Sequence, residues 1–126
     1  MSEKDGYNTI FPKVYSQYEN IGEEAVKHDE GKIRIELFPG EALFAASEVL
    51  TISAKDEYEA RNWEKGMAWS RVFGSLMRHA WAWFMGETYD KKTGKSHMAH
   101  VLCNAAFLMT YEVRKIGIDD RPKTNK

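Results

Sequence analysis

"RHAWAWFMGETYDKKTGKSHMAH" (Arg78–His100) holds three of the chain's four histidines and two of its four tryptophans. It also decides the fold. On its N-terminal side Val72, Phe73, Leu76, Met77, Ala80 and Phe84 recur at helical spacing. Ser70 stands where an N-cap belongs and Gly86 where a helix stops. Arg71, Ser75 and Arg78 share another face of that helix. On the C-terminal side Ser96 can cap a further helix, carried by Met98, Val101, Leu102, Ala105, Leu108, Met109, Val113 and Ile116 and ended by Gly117. The polar run GETYDKKTGK between them is short, so the two helices should be neighbours. The expected class is all-α: a bundle of three to four main helices.

That pairing gathers chemistry. His97, His100 and Asn104 lie at i, i+3 and i+7 and share a face. His79 comes from the preceding helix, and Glu87 and Asp90 from the loop. Imidazole mixed with carboxylate suits manganese, iron or zinc, whereas magnesium prefers oxygen ligands. Each residue also has a plainer reading. His79 can be a packing or capping residue, Glu87 and Asp90 a solvated loop, and His100 and Asn104 polar groups satisfied by hydrogen bonds.

Further out, "PGEALFAASEVLTISAKDEY" reads as the first long helix, with Leu43, Ala46, Val49 and Leu50 as its stripe and Glu41 in its first turn. Glu48 falls at the edge of the stripe. "EARNWEKGMAW" breaks the pattern, with Gly66 as the turn. There Arg61 can clamp a phosphate, Asn62 read an amide edge and Trp63 stack on a base, with Lys55 adding charge; alternatively this is a surface turn anchored by a buried tryptophan. Trp81 and Trp83 lie on opposing sides of the second helix, so at least one is expected in the core. Ile33, Ile35 and Leu37 alternate with polar residues, which permits a short strand but reads better as an extended lead-in. Lys32 and Arg34 are either solvated edges or phosphate contacts.

A length of 126 residues suggests a single domain over 1–126, with an arm at 1–27, a helical core at 28–117 and a flexible, frayed tail at 118–126. A net charge of −1 gives no global signal for nucleic acid or a membrane surface. One cysteine, Cys103, excludes an internal disulfide and fits a reducing cytosol. No apolar run approaches the ~20 residues of a membrane span, and "MSEKDGYNTI" lacks a signal peptide's apolar region, so the expected compartment is the cytoplasm. The chain has no Walker A loop, nucleotide fingerprint, zinc-knuckle cysteine pair or serine nucleophile elbow.

Three blocks, "HDEGKIRIELFP", "EVLTISAKDEYEARNWEKGMAWSRVFGSLMRHAWAWFMGE" and "DKKTGKSHMAHVLCNAAFL", together resemble a phage-encoded family named dATP/dGTP diphosphohydrolase. That family is grouped with the MazG-like all-α nucleoside triphosphate pyrophosphohydrolases. The resemblance spans roughly residues 28–112. It implies metal-dependent hydrolysis of a (deoxy)purine nucleoside triphosphate to the monophosphate and pyrophosphate, in the cytoplasm of an infected bacterial host. It implies a divalent ion, magnesium or manganese first and zinc or iron as alternatives, held by His79, His97 and His100. Glu48, Glu87 and Asp90 become candidate catalytic carboxylates. Lys32, Arg34, Lys55, Arg61, Asn62, Trp63, Arg78 and Asn104 become candidate nucleotide contacts. The implied partners are a purine nucleotide and further copies of the chain, as a dimer or tetramer, with no direct nucleic acid and no membrane.

MazG-like enzymes hold magnesium with a Glu-x-x-Glu pair and a later Glu-x-x-Asp pair. Here His97 and His100 stand at what looks like the second pair, and His79 near the first acid. Either the metal differs, or Glu48, Glu87 and Asp90 supply the carboxylates, or hydrolysis has been lost. The last case is the alternative function: a non-catalytic binder that sequesters a host-defence signalling nucleotide. A third reading, a helical assembly module, leaves the histidines unused.

Overall fold

The computed structural model describes residues 24–123 and divides at Arg34/Ile35 into two units. Of the first unit, residues 24–34 are exposed and irregular, with one turn closed by the Lys32 N–H on the Asp29 carbonyl at 3.1 Å. The proposed arm at 1–27 lies largely outside the described residues.

The described residues of the second unit form three helices: α1 (Gly40–Asp56), α2 (Trp69–Phe84) and α3 (His97–Arg114). Short 3₁₀ turns occupy Ile35–Leu37 and Asn62–Lys65. The alternation at Ile33–Leu37 therefore makes no strand, and the described residues carry only two isolated β-bridges. The class is all-α, and no described helix is long and apolar enough to cross a membrane.

Helix α3 packs against both α1 and α2. Small side chains make the α1–α3 contact close: Ala46 and Val49 meet Ala99 and Cys103, with Ala45, Leu102 and Phe107 around them. The Cys103 thiol donates to the Ala46 carbonyl at 3.2 Å, across the two helices. Burial pushes that thiol up to about 11, so it stays protonated and unreactive at neutral pH.

Helix α2 starts earlier than the sequence suggests. Its N-cap is Ala68, with no side-chain cap bond, so Ser70 is not the cap. The exposed first-turn groups are met from the far end of the chain. The Trp69 N–H donates to the Ile118 carbonyl at 2.9 Å, and the Ser70 N–H and hydroxyl both donate to the Asp120 carboxylate. A carboxylate there also suits the positive end of the helix dipole. Residues 118–120 are thus tied to α2, where the sequence suggests fraying. Arg121 adds a cation over the Trp69 ring at 4.9 Å. Ser96 does cap α3, its hydroxyl accepting from the Met98 N–H at 3.1 Å.

Two glycines let the chain after α3 meet the loop before α2. Gly66 (φ 84°) and Gly117 (φ 80°) lie back to back. A Cβ on Gly66 would stand 2.8 Å from the Gly117 nitrogen, and one on Gly117 would overlap the Met67 carbonyl. Close by, Tyr111, fully buried, donates its hydroxyl to the Trp63 carbonyl at 2.6 Å.

The apolar face of α2 departs from expectation. Only Val72 is buried; Phe73, Met77 and Phe84 are exposed, and so are both Trp81 (60%) and Trp83 (47%). Trp63 is instead half-buried, stacked on Phe107 with centroids 4.7 Å apart.

Gly66→Ala and Gly117→Ala should each cost about 2–3 kcal/mol, since steric overlap adds to an unfavourable φ. Gly94 (φ 72°) has open space around it, so Gly94→Ala should cost only about 1 kcal/mol. Denaturant midpoints of the three variants check this order.

Candidate active site

The loop between α2 and α3 folds tightly. The Asp90 N–H donates to the Lys95 carbonyl and the Gly94 N–H to the Asp90 carbonyl, both at 2.8 Å. The His97 N–H donates to the Thr88 carbonyl at 2.9 Å. This turn delivers the first residues of α3 to the C-terminal half of α2, and three imidazoles meet.

His97 is buried, at 4% exposure. Its Nε2 lies 3.1 Å from Glu87 Oε1, and its Nδ1 lies 2.9 Å from Nδ1 of His79. With neutral rings the chain of donors runs one way. His97 gives its Nε2–H to the carboxylate, so its Nδ1 accepts from the Nδ1–H of His79. The lone pair of His79 is then on Nε2. The His79 ring stacks on His100 at 4.3 Å and 6°. Nε2 of His100 is 2.8 Å from the Thr93 hydroxyl and 3.8 Å from Asp90 Oδ2.

Charge follows from these surroundings. Burial, reinforced by the His100 neighbour, lowers the pKa of His79, with Asp90 opposing. Burial also lowers that of His100, again against Asp90. Both rings are therefore neutral at pH 7. Burial would raise the Asp90 carboxyl, but hydrogen bonds from the Thr93 N–H and hydroxyl, with the nearby imidazoles, hold it below its ordinary value.

A cavity of about 970 Å³ opens beside these groups. His79, His100, Asp90 and Thr93 line one part of it, and Trp63, Phe107 and Tyr58 supply aromatic surface elsewhere. Arg61, Lys65, Arg71 and Lys92 contribute cations. Ser75 and Asn104 line it too, joined by the Asn104 amide donating to the Ser75 hydroxyl at 3.3 Å.

The residues singled out from sequence divide accordingly. His79, His97, His100, Glu87 and Asp90 come together in one cluster: Glu87–His97–His79 and Asp90–Thr93–His100 are each hydrogen-bonded, and the His79–His100 stack joins them. Arg61, Asn62, Trp63 and Asn104 line the cavity. Arg61 does so with a left-handed backbone (φ 63°) and a 3.6 Å ion pair to Glu64. Glu48 is not among the residues lining this cavity; it pairs with Lys95 at 3.4 Å beside a smaller surface groove. Lys55 is exposed at the end of α1, and Arg78 lies along α2 over Gly74; neither lines the cavity. Lys32 and Arg34 belong to the first unit, where both are exposed.

Sequence reading missed Thr93, Lys92, Tyr58 and Phe107. The one available signal was the Asp-x-x-Thr spacing of Asp90 and Thr93, a side-chain turn motif. Lys92 pairs with Glu57 at 2.7 Å and ties the loop to the end of α1.

His79, Asp90 and His97 each offer a ligand atom within 4.8 Å of the others. Two imidazoles and a carboxylate fit a borderline divalent ion such as manganese, iron or zinc better than magnesium. The facing nitrogens of His79 and His97 share one proton, so an ion bound there displaces it.

The fold and site define an all-α protein with an imidazole–carboxylate cluster opening on a ligand-sized cavity. The family described as dATP/dGTP diphosphohydrolase, N-terminal, matches residues 22–121, and the chain belongs to it. No curated protein and no solved structure matches the chain.

The lowered imidazole pKa values set a pH dependence. A histidine whose folded pKa lies below its unfolded 6.5 binds fewer protons when folded, so stability is full above 6.5 and falls as pH drops through that value. Melting temperature should decline below pH 6.5, and His100→Asn should flatten the decline.

Proposed function

We propose that the protein hydrolyses a (deoxy)purine nucleoside triphosphate to the monophosphate and pyrophosphate with the help of a divalent ion. One observation carries this reading: a single cavity joins an imidazole–carboxylate wall to cationic and aromatic surface. A nucleotide needs all three. The family name supports the substrate class.

His79, Asp90 and His97 are the residues to hold the ion, which supplies a polarised phosphate oxygen and a more acidic water. Arg71, Lys92 and Arg61 offset the phosphate charge. Neutral His100, which lines the cavity and is not among these ligands, is the group to accept a proton from the attacking water. Glu87 acts one step back: by accepting the Nε2–H of His97 it leaves that ring's Nδ1 for the ion. The aromatic surface of Tyr58, Trp63 and Phe107 excludes water and takes the base.

The alternative of a nucleotide sponge, a binder that sequesters without turnover, keeps a specific support. Every carboxylate lining the cavity is already engaged: Glu57 by Lys92, Glu59 by Lys65 and Asp90 by Thr93. Self-association is proposed through the exposed face of α2, with Phe73, Met77, Trp81 and Phe84.

The test incubates the protein with purine and pyrimidine deoxynucleoside triphosphates plus manganese or magnesium, and chromatographs the mixture before and after heat denaturation. Purine monophosphate and pyrophosphate should accumulate catalytically, and His100→Ala should lower the rate about 100-fold or more. An intact nucleotide released only by heat would make the protein a sponge.

A further inference from the structure

We propose that Thr93 is a positioning residue of this site: its hydroxyl couples His100 to the Asp90 carboxylate and fixes the ring with its proton on Nε2 and its lone pair on Nδ1. The inference rests on the reading of the cavity as the place of phosphate chemistry, but its geometry stands by itself.

A threonine hydroxyl has one proton to give and two lone pairs to offer. All three are in use. The Lys95 N–H donates to Thr93 Oγ1 at 3.2 Å. Asp90 Oδ2 lies 3.0 Å from the same oxygen, and also accepts the Thr93 N–H at 2.9 Å. An ionised carboxylate can only accept, so the hydroxyl proton points at Asp90. The third contact, Nε2 of His100 at 2.8 Å, must then be a donor. A neutral imidazole that donates from Nε2 carries its lone pair on Nδ1.

The arrangement parallels the one behind His79. Glu87 sets the tautomer of His79 through His97, and Asp90 sets that of His100 through Thr93. The two rings so fixed are stacked 4.3 Å apart, and both line the cavity. Each leaves one ring nitrogen with a lone pair outside the relay that fixes it. The link is built into the loop, because the turn that brings Thr93 to Asp90 also starts α3.

The test compares uniformly ¹⁵N-labelled wild type, Thr93→Val and Thr93→Ser by long-range ¹H–¹⁵N correlation of the imidazoles at pH 7.5, and measures kcat and KM on a purine deoxynucleoside triphosphate. Wild type and Thr93→Ser should show His100 as the Nε2–H tautomer. Thr93→Val should show it shifted toward a mixture, with kcat lower by about tenfold and KM little changed. If the valine variant does not fold, Thr93→Ala carries the same expectation. An unchanged His100 pattern in the variant lacking the hydroxyl overturns the proposal, and so does a serine variant that behaves like valine. If wild type turns over no nucleotide, the proposed reaction falls and the tautomer comparison alone decides on Thr93.

Discussion

A buried imidazole must find partners for both ring nitrogens or lose stability, and His97 finds them on two different elements. Its Nε2 meets Glu87 in the loop and its Nδ1 meets His79 on α2. This pins the start of α3 to the middle of α2 and sets the level at which the helices pass. The consequences run outward from there. His100, one turn along α3, stacks on His79; Asn104, one turn further, reaches Ser75. At the other end of α3, Tyr111 and the Gly66–Gly117 approach hold the Arg61–Trp63 loop in place. The cavity is the space these two anchors leave between them.

Much of this was legible in the sequence because helical periodicity is a strong signal. The 3.6-residue spacing gave the three helices, and the i, i+3, i+7 spacing put His97, His100 and Asn104 on one face. The short polar loop predicted that His79 would meet them. Ser96 could be read as a cap because a serine just before an apolar run has one obvious use.

What stayed hidden depends on residues distant in the chain or on competing partners. Ser70 looked like a cap, but Asp120 takes that role from fifty positions away. Thr93 stands in a run legible only as a polar loop, because its worth lies in three simultaneous hydrogen bonds. Trp81 and Trp83 seemed to need a core place, yet periodicity says only that a face is apolar and not what covers it. Glu48 sat at a plausible edge position, and Lys95 claimed it.

In the proposed function a triphosphate lies between the imidazole wall and the aromatic surface of one cavity. Titrating ¹⁵N-labelled protein with an α,β-methylene purine deoxynucleoside triphosphate tests it most directly, because the analogue binds without being cleaved between those phosphates. The ring signals of His79 and His100 and the indole signal of Trp63 should shift together with one binding constant. Saturable binding that moves none of these three signals would contradict it.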